Sequence, residues 1–418
     1  MPRDLDEAKA PALPPGGAAR RVPPLWLLAL ITLSGTLAMH MFVPALPRAA
    51  RELGASAGAM QDTVSLYILG LAVGQLAYGP LSDRYGRRPL LVAGLALYTA
   101  AGLAAALAPG IRTLLAARLV QALGGCAGLA LGRAMVRDTA APEDAARRLA
   151  LLNLMVTLGP GLAPLIGGAL SETYGWRSIF VALCALGAAN IWLTLRRLPE
   201  TGQRRAGVSA ASLALDYGRL LRSPAFLGYA IGGGCSTTAM YAFFAVAPFV
   251  FVDELHRSPH EVGIYLALLV AGVSLGSVLA SRLVGRLAIE RLLAWASGAA
   301  VLAAFALLGI VWGGALSVLL LLGPMFVFTV GVGLASPMAL TKAVGVNPKV
   351  IGSAAGLYGS AQMAIGALCT TLAGLGRDPA LAAASVLAAA GVIGQAAFWV
   401  AARAEKAARR ASRGREGA

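Results

Sequence analysis

Charge is scarce in this sequence. Only 13% of its 418 residues are Asp, Glu, Lys or Arg, whereas 58% are hydrophobic. Soluble domains usually contain about 25% charged and about 45–50% apolar residues. This apolar excess is more than one buried core holds, so lipid is the expected solvent for much of the chain.

Cysteine and histidine are also rare, with four and three copies. The cysteines lie inside apolar runs without metal-ligand spacing, so we interpret them as packing residues and expect no metal site. The sequence contains no G-x-x-x-x-G-K-[ST] loop and no catalytic triad. We therefore expect neither an enzyme nor a nucleotide-driven pump, and no cofactor.

Acidic residues are outnumbered by basic ones, 19 to 35. The basic residues form short clusters between apolar runs instead of a patch with interleaved aromatics, so nucleic acid is not an expected partner. If both termini are cytoplasmic, 28 of the 35 lie in inner segments, six in outer loops, and Arg118 within a span. The positive-inside rule thus predicts a multi-pass membrane protein with both termini in the cytoplasm.

Twelve apolar runs approach the roughly 20 residues that a spanning helix needs. We therefore predict an all-α membrane protein with twelve transmembrane helices. The predicted cores are 25–44, 62–81, 90–108, 113–133, 149–170, 176–195, 226–251, 261–281, 292–311, 316–340, 351–375 and 380–401.

The longest polar interruption falls between the sixth and seventh runs and predicts two six-helix halves. A shift of 202 residues places Gly74 on Gly276 and Arg84 on Arg286, a thin internal repeat. Transporters built this way bind substrate near the midplane, between their halves. The predicted divisions are a disordered cytoplasmic N-terminus 1–23, an N-terminal bundle 24–195, a cytoplasmic linker 196–225 with an amphipathic helix near Ser212–Leu221, a C-terminal bundle 226–402 and a basic cytoplasmic tail 403–418.

The loop after the second run reads "GPLSDRYGRRPLL". It resembles the G-x-x-x-D-R-x-G-R-R signature of the major facilitator superfamily, a resemblance that implies the major facilitator fold and a loop that latches the two halves. Arginines alone would also follow from the positive-inside rule. The copy in the second half is degraded, because Gly285 stands at the position of Asp83 and Ala288 at the position of Gly86. The predicted gating-loop residues are Gly79, Asp83, Arg84, Gly86, Arg87 and Arg88.

The fourth and fifth runs carry two further motifs. "ARLVQALGG" resembles the family's R-x-x-Q-x-x-G pattern, which implies a role for Arg118 in proton coupling; the alternative is an arginine that extends to the membrane surface. "LGPGLAPLIGG" resembles an element of drug/proton antiporters, and its prolines and glycines predict a kinked, closely packed helix. The residues of this second motif are Gly159, Pro160, Pro164, Gly167 and Gly168.

The string "TLAMHMFVPALP" ends the first run. With "WRSIF" and "LPET" it resembles the bicyclomycin/chloramphenicol-resistance (Bcr/CflA) subfamily of multidrug efflux transporters. That subfamily usually has an aspartate four residues before the proline, and here the position is His40. Because Thr32, Thr36 and His40 recur every four residues, we expect one polar stripe facing the transport path.

Three hypotheses for His40 remain open. His40 itself carries the proton, since an unperturbed histidine titrates near about pH 6.5. Alternatively, Asp62 supplies the missing acid and His40 is its hydrogen-bond partner. In the third hypothesis coupling is weak or lost and His40 only contacts substrate. A nearby Arg118 would favour the neutral imidazole by like-charge repulsion.

Aromatic, methionine and amide side chains suit a cavity for varied apolar compounds. The predicted cavity residues are Thr32, Thr36, Gln121, Tyr241, Phe244, Met325, Tyr358 and Gln362. The resemblance implies a secondary transporter, usually a monomer, that exports amphipathic drug-like molecules by proton antiport with alternating access. Its expected partners are a small-molecule substrate, protons and the lipid bilayer. The alternatives are an exporter of an endogenous metabolite, such as a sugar or an amino-acid derivative, and a transporter-like receptor.

Overall fold

A computed structural model describes residues 23–140, 142–202, 210–347 and 350–416 of the chain. The predicted N-terminal lead lies almost wholly outside these residues. The described residues form helices with short connections. Their bounds are α1 Leu25–His40, α2 Leu46–Leu53, α3 Ala57–Tyr85, α4 Arg87–Ala106, α5 Ile111–Thr139, α6 Pro142–Tyr174, α7 Arg177–Arg197, α8 Ala210–Leu221, α9 Pro224–Thr237, α10 Met240–Phe249, α11 Pro259–Leu283, α12 Ile289–Trp312, α13 Val318–Gly345, α14 Ile351–Gly374 and α15 Pro379–Glu416.

Ten helical segments of the described chain are long and apolar enough to cross a membrane. Two of them are composite, α1 with α2 and α9 with α10. Helices α6 and α14, with 33 and 24 residues, complete the twelve-helix major facilitator fold predicted from the sequence. Large apolar side chains such as Leu302, Trp312 and Leu319 remain more than 70% exposed, as lipid-facing residues do.

We call α1–α7 the first half and α9–α15 the second half. The most extensive contacts between them are made by α3 with α14 and by α6 with α11. Both contacts depend on glycine: a methyl group on Gly58 would lie 2.6 Å from the Gly374 carbonyl oxygen, and one on Gly263 would lie 2.5 Å from that of Pro164. Small residues let these backbones approach closely.

The first span is broken, although the sequence predicts one helix over 25–44. Helix α1 ends at His40, a 3-10 turn covers Val43–Ala45, and α2 continues to Leu53. Pro44 has no N–H to donate to the His40 carbonyl four residues earlier, so the regular ladder stops there. The span is therefore longer than predicted, and His40 occupies the end of a helix.

The seventh span is also broken. We predict that its three glycines, 232–234, weaken the helix, but α9 continues through them to Thr237. Those glycines instead lie against Phe398, Tyr358 and Ile365 of neighbouring helices. The interruption comes at Thr238 and Ala239, before α10 begins at Met240. Helix α10 then ends in a π-helical turn, Val250–Glu254.

Two helices extend outside the predicted spans. Helix α8 lies where the linker helix is expected. Helix α15 continues to Glu416, so most of the segment predicted as a basic tail is helical.

Candidate functional site

His40 lies where the breaks of the first and seventh spans meet. Its ring centroid is 6.2 Å from that of Tyr241 and 6.5 Å from that of Phe244, both in edge-to-face geometry. The imidazole Nδ1 is 2.9 Å from the Thr36 carbonyl oxygen. Because a carbonyl only accepts, Nδ1 carries the proton, and in the neutral ring Nε2 is the acceptor. We call His40, Tyr241 and Phe244 the α1–α10 site.

Arg118 is completely buried at a similar level but on another face of α1. Its Nη1 donates to the Ala38 carbonyl at 2.9 Å and to Gln121 Oε1 at 2.8 Å. Since α1 ends at His40, the Ala38 carbonyl lies in its last turn and has no helical amide to pair with. The guanidinium therefore caps the negative end of the α1 dipole.

Aromatic rings complete the surroundings of Arg118. Its Cζ lies 4.1 Å from the Tyr67 ring centroid, 5.6 Å from that of Phe42 and 5.7 Å from that of Phe180. Within the described chain no carboxylate pairs with it, and its Nε and Nη2 have no hydrogen-bond partner. All these neighbours belong to the first half, whereas the rings beside His40 belong to the second. The alternative considered for Arg118, an arginine that extends to the membrane surface, is therefore wrong.

The predicted polar stripe on α1 divides between two faces. Thr32 is fully buried and donates to the Gly128 carbonyl of α5 at 3.2 Å, on the side away from the α1–α10 site. Thr36 is half-buried, on the side of Gly159 of α6. Gln121, also predicted to line the cavity, is fully buried beside Arg118. A helix has 3.6 residues per turn, so residues four apart are slightly offset around its axis. Over eight residues this offset separates Thr32 from the face that carries His40.

Asp62 is half-buried in the second turn of α3. Among the described residues it has no ion pair, and no hydrogen bond joins it to His40. Thus the structure does not bring the two proton-site candidates together by direct contact.

The second half contributes a neutral polar cluster next to Tyr241. Thr238 Oγ1 donates to the Gly234 carbonyl at 2.9 Å and to the Gln362 carbonyl at 2.7 Å, and Gln362 Nε2 donates to Thr237 Oγ1. Threonine hydroxyls that bond to the carbonyl four residues earlier often bend helices. The cluster lies at the break, and Thr238 and Tyr241 of the α1–α10 site both lie against Gly366 of α14.

Two predicted cavity residues lie elsewhere. Met325 is fully buried within the apolar core, and Tyr358 is 2% exposed beside Gly233 of α9. The Tyr358 hydroxyl has no hydrogen-bond partner in the described chain. Their aromatic and thioether groups serve packing between helices, an alternative that sequence periodicity cannot distinguish from a cavity wall.

The glycines of the α6 motif fit this helix between α1 and the second half. A methyl group on Gly167 would overlap the Met41 carbonyl oxygen at the α1 break, and one on Gly159 would overlap Leu33. One on Gly168 would lie 2.7 Å from the Pro259 carbonyl of the second half. Helix α6 is continuous through Pro160 and Pro164.

The loop predicted as a gate is organised by Arg87. Its guanidinium pairs with Asp83 and Asp138, each at 2.9 Å, and donates to Ser82. Arg84 is exposed, over the Tyr85 ring, and Gly79 is exposed without a close neighbour. Within the described residues no partner of this loop belongs to the second half.

Glu200 caps helix α4, a function that we do not predict from the sequence. Its carboxylate accepts from the backbone N–H groups of Arg87 and Arg88 at 3.0 and 3.2 Å. Gly86, at φ 97°, makes the turn between α3 and α4. From the sequence, Asp83 could either pair with a cation of the loop or cap the following helix, and it pairs with Arg87. "LPET" is noticed only as a resemblance, although a carboxylate near a helix N-terminus is a usable signal.

The corresponding loop of the second half has the opposite charges. Lys342 of α13 pairs with Glu290 at the start of α12 and with Glu405 of α15, the latter at 3.2 Å. In the first half the start of α4 provides the cation and the end of α5 the anion. The second half therefore also has an ion cluster here, but the start of α12 provides the anion and the end of α13 the cation.

The two halves close against each other at the end of the bundle that carries the α1–α2 break. Arg51 and Asp253 form an ion pair of 2.9 Å across the halves there. The Gly58–Gly374 and Gly168–Pro259 approaches lie at the same end. The gating loop lies at the opposite end, where the described ion pairs do not cross between halves.

Two surface cavities of about 450 and 520 Å³ lie between α1 and α6 and between α13 and α14. Neither contains a residue of the α1–α10 site. Among the described residues no group of three His, Cys, Asp or Glu side chains is placed to hold a metal ion.

This arrangement is typical of membrane transporters with two helical bundles around a central site. The chain belongs to the Major Facilitator Superfamily, whose family profile matches residues 28–370. It is thus a multi-pass membrane transporter.

Three relatives illustrate the similarity. YdgK of Bacillus subtilis, an MFS-type transporter, is 31% identical over 90% of this chain and 94% of its own length. Multidrug resistance protein D of Escherichia coli is 32% identical over 82% of this chain and 86% of its own. The chloramphenicol resistance protein of Pseudomonas aeruginosa is 34% identical over 62% and 61%.

Solved structures support the fold at lower identity. The D-xylose-proton symporter aligns with a TM-score of 0.73 at 16% identity, over 90% of this chain and 96% of its own. A mutant of the nucleoside transporter NupG aligns with a TM-score of 0.73 at 14% identity, over 91% and 99%.

Proposed function

We propose that this transporter exports small amphipathic, drug-like compounds across the bacterial inner membrane, in exchange for protons and by alternating access. The observation that carries the proposal is the α1–α10 site. An ionisable ring of the first half lies against two aromatic rings of the second, at the point where both spans are broken. The names of the relatives, which include multidrug and chloramphenicol resistance, favour drug-like cargo. The subfamily assignment to Bcr/CflA belongs to this proposal.

Movement of the halves would separate His40 from its ring partners. The Arg51–Asp253 pair and the close glycine approaches hold one end shut. Alternating access requires them to open while the gating-loop end closes. We assign the closed end to the outside and both termini to the cytoplasm, in accord with the arginine distribution. The gating loop is then the candidate latch for the alternative state.

His40 is our first candidate for the proton carrier. Its Nε2 accepts a proton in the neutral tautomer, and the Thr36 carbonyl fixes that tautomer. Arg118 acts on the opposite face of α1 as a structural cation. Asp62 remains the competing candidate, and a monomer that needs no other protein partner remains an expectation.

Substrate-driven proton flux in proteoliposomes tests the proposal. We expect chloramphenicol uptake into proteoliposomes of inside-out orientation to require a lumen more acidic than the medium and to stop with an uncoupler. His40→Ala should reduce coupled flux at least tenfold, whereas Asp62→Asn, the matched control, should retain it. The reverse pattern would identify Asp62 as the proton carrier. Intact coupling in both variants would reject both candidates.

Cargo identity needs a separate measurement. Deletion of the gene should make cells more sensitive to several amphipathic antibiotics. The difference between deletion and wild-type cells should disappear when an uncoupler is added. Unchanged sensitivity to every compound of the panel would contradict drug export and favour an endogenous metabolite.

A further inference from the structure

The described carboxylates are not paired with the ionisable groups at the α1–α10 site. Apart from Asp62, the described acidic residues lie in loops and turns, in α8, in the extension of α15 past residue 401, or within about one turn of a helix end. Asp62 is half-buried in the second turn of α3 and has no ion pair among the described residues. No described carboxylate forms a hydrogen bond or an ion pair with His40 or Arg118.

The groups that contact His40 and Arg118 are neutral. Arg118 is buried beside the end of α1 without a carboxylate partner in the described chain. His40 faces the uncharged rings of Tyr241 and Phe244. Without a paired anion, the buried guanidinium makes the local field positive even when the imidazole is neutral, and protonation makes it more so.

The chemistry of the His40 ring agrees with this field. With Nδ1 bonded to the Thr36 carbonyl, the neutral ring offers a lone pair at Nε2 to a hydroxyl or amide of the cargo. The protonated ring offers an N–H to a carbonyl or an anion. Neither form provides a counter-charge for a cationic cargo.

Aromatic rings alone do not compensate for that missing charge. Tyr241 and Phe244 could contribute about 0.5–2 kcal/mol of cation–π attraction. Removing a cation from water costs several kcal/mol in a buried site. Moving a lipophilic cation from water into the site therefore costs more free energy than the two rings contribute.

We propose that the α1–α10 site accepts uncharged or anionic amphipathic compounds and discriminates against lipophilic cations. This inference rests on the proposed function, because it names the cargo class of the same site. His40 is the residue that sets the charge preference.

Tetraphenylborate and tetraphenylphosphonium test this preference, because they have nearly the same shape and opposite charge. Their apparent Kd values are measured on the purified full-length protein by the shift of its thermal unfolding midpoint. Since the two ions partition differently into detergent, the comparison is the borate-to-phosphonium Kd ratio between variants. We expect His40→Asp to change that ratio at least tenfold in favour of phosphonium.

Two further variants keep the test decisive. His40→Gln retains hydrogen bonding but cannot take up a proton, so it should weaken borate binding about tenfold at acidic pH, where the imidazole of the wild type is protonated. It also serves if His40→Asp does not fold. Asp62→Asn, the matched control, should leave the ratio unchanged. An unchanged ratio in His40→Asp and His40→Gln, or a changed ratio in Asp62→Asn, would overturn the inference.

The same material separates this inference from the proposed function. If the ratio responds to His40 but no compound is transported in proteoliposomes, export fails while the charge preference holds. If proton-coupled export holds and wild-type protein transports tetraphenylphosphonium as fast as neutral chloramphenicol, only the charge preference fails.

Discussion

The breaks of the first and seventh spans occupy corresponding places in the two halves but are stabilised differently. At the first, the free Ala38 carbonyl is bonded by a fully buried guanidinium among three aromatic rings. At the second, Thr237, Thr238 and Gln362 form a neutral hydrogen-bonded cluster. A desolvated cation has few alternative partners, whereas hydroxyl and amide groups exchange partners easily. We therefore expect the first break to be rigid and the second to adapt.

Glycine contacts show the same contrast. Gly167 of α6 faces the Met41 backbone carbonyl at the first break. Gly366 of α14 faces the side chains of Thr238 and Tyr241, which would lie 2.9 and 3.1 Å from a methyl group added to this glycine. The overlap at Gly167 is the more severe of the two, and the Met41 carbonyl is part of the backbone. At Gly366 the contacts are longer, and the Tyr241 ring can rotate away from an added methyl group.

The largest effect is therefore expected from Gly167→Ala. Its methyl group would overlap the Met41 carbonyl oxygen and separate α6 from the α1 break. Overpacking of this kind costs about 3 kcal/mol or more when backbone must move. We expect the monodisperse fraction on fluorescence-detected size-exclusion chromatography to fall sharply.

Two matched variants calibrate that result. Gly366→Ala should lower the thermal midpoint by less, because the added methyl group would lie 2.9 Å from its nearest neighbour, a milder overlap than that at Gly167. Gly309→Ala in α12, where nothing lies within 4 Å of the added methyl, should be neutral or slightly stabilising. If Gly366→Ala is as harmful as Gly167→Ala, the two breaks do not differ in rigidity.

A smaller effect is expected from Arg118→Lys. An ammonium retains the charge but lacks the planar donor that bonds the Ala38 carbonyl while contacting the Tyr67 ring. Loss of a desolvated cation–π contact costs about 2 kcal/mol. The thermal midpoint of the purified variant should therefore decrease clearly.

Arg84→Lys is the matched control, since Arg84 also lies over a tyrosine ring but is exposed. It should change stability by less than about 0.5 kcal/mol. Equal stability of Arg118→Lys and wild type would refute the capping role of the guanidinium.

Much of the fold follows from hydrophobic run length, because a bilayer requires long apolar helices. The twelve spans and the linker position need only that rule. The break after His40 is also encoded, by Pro44, but a prediction that treats the run 25–44 as one helix overlooks it. The break at Thr238 is not encoded by a comparable signal, since it depends on hydrogen bonds to Gln362, more than a hundred residues away.

The candidate site was predictable only in part, because the sequence shows residue type but not which helix faces pack together. His40, Tyr241 and Phe244 are chosen from the sequence by residue type, and the structure brings them together. Thr32, Gln121, Met325 and Tyr358 have equally suitable chemistry but are buried in contacts between helices. Which face of a spanning helix meets another helix depends on packing. A small rotation of the helix about its axis decides whether a residue faces a cavity or a neighbouring helix. Glu200 and Asp138 are paired with the gating loop only after folding.

The smallest effect is expected at the second break, from Thr238→Val. Valine preserves shape but removes the hydroxyl that donates to the Gly234 and Gln362 carbonyls. One neutral hydrogen bond contributes about 0.5–1.5 kcal/mol, and the neighbouring Thr237–Gln362 bond can reorganise. Thr370→Val is the control, because Thr370 bonds only within its own helix, to Gly366. Thr238→Val should lower the thermal midpoint slightly more than Thr370→Val and much less than Arg118→Lys. A loss equal to that of Arg118→Lys would mean that the seventh span is held as firmly as the first, so the adaptable half would have to be sought elsewhere.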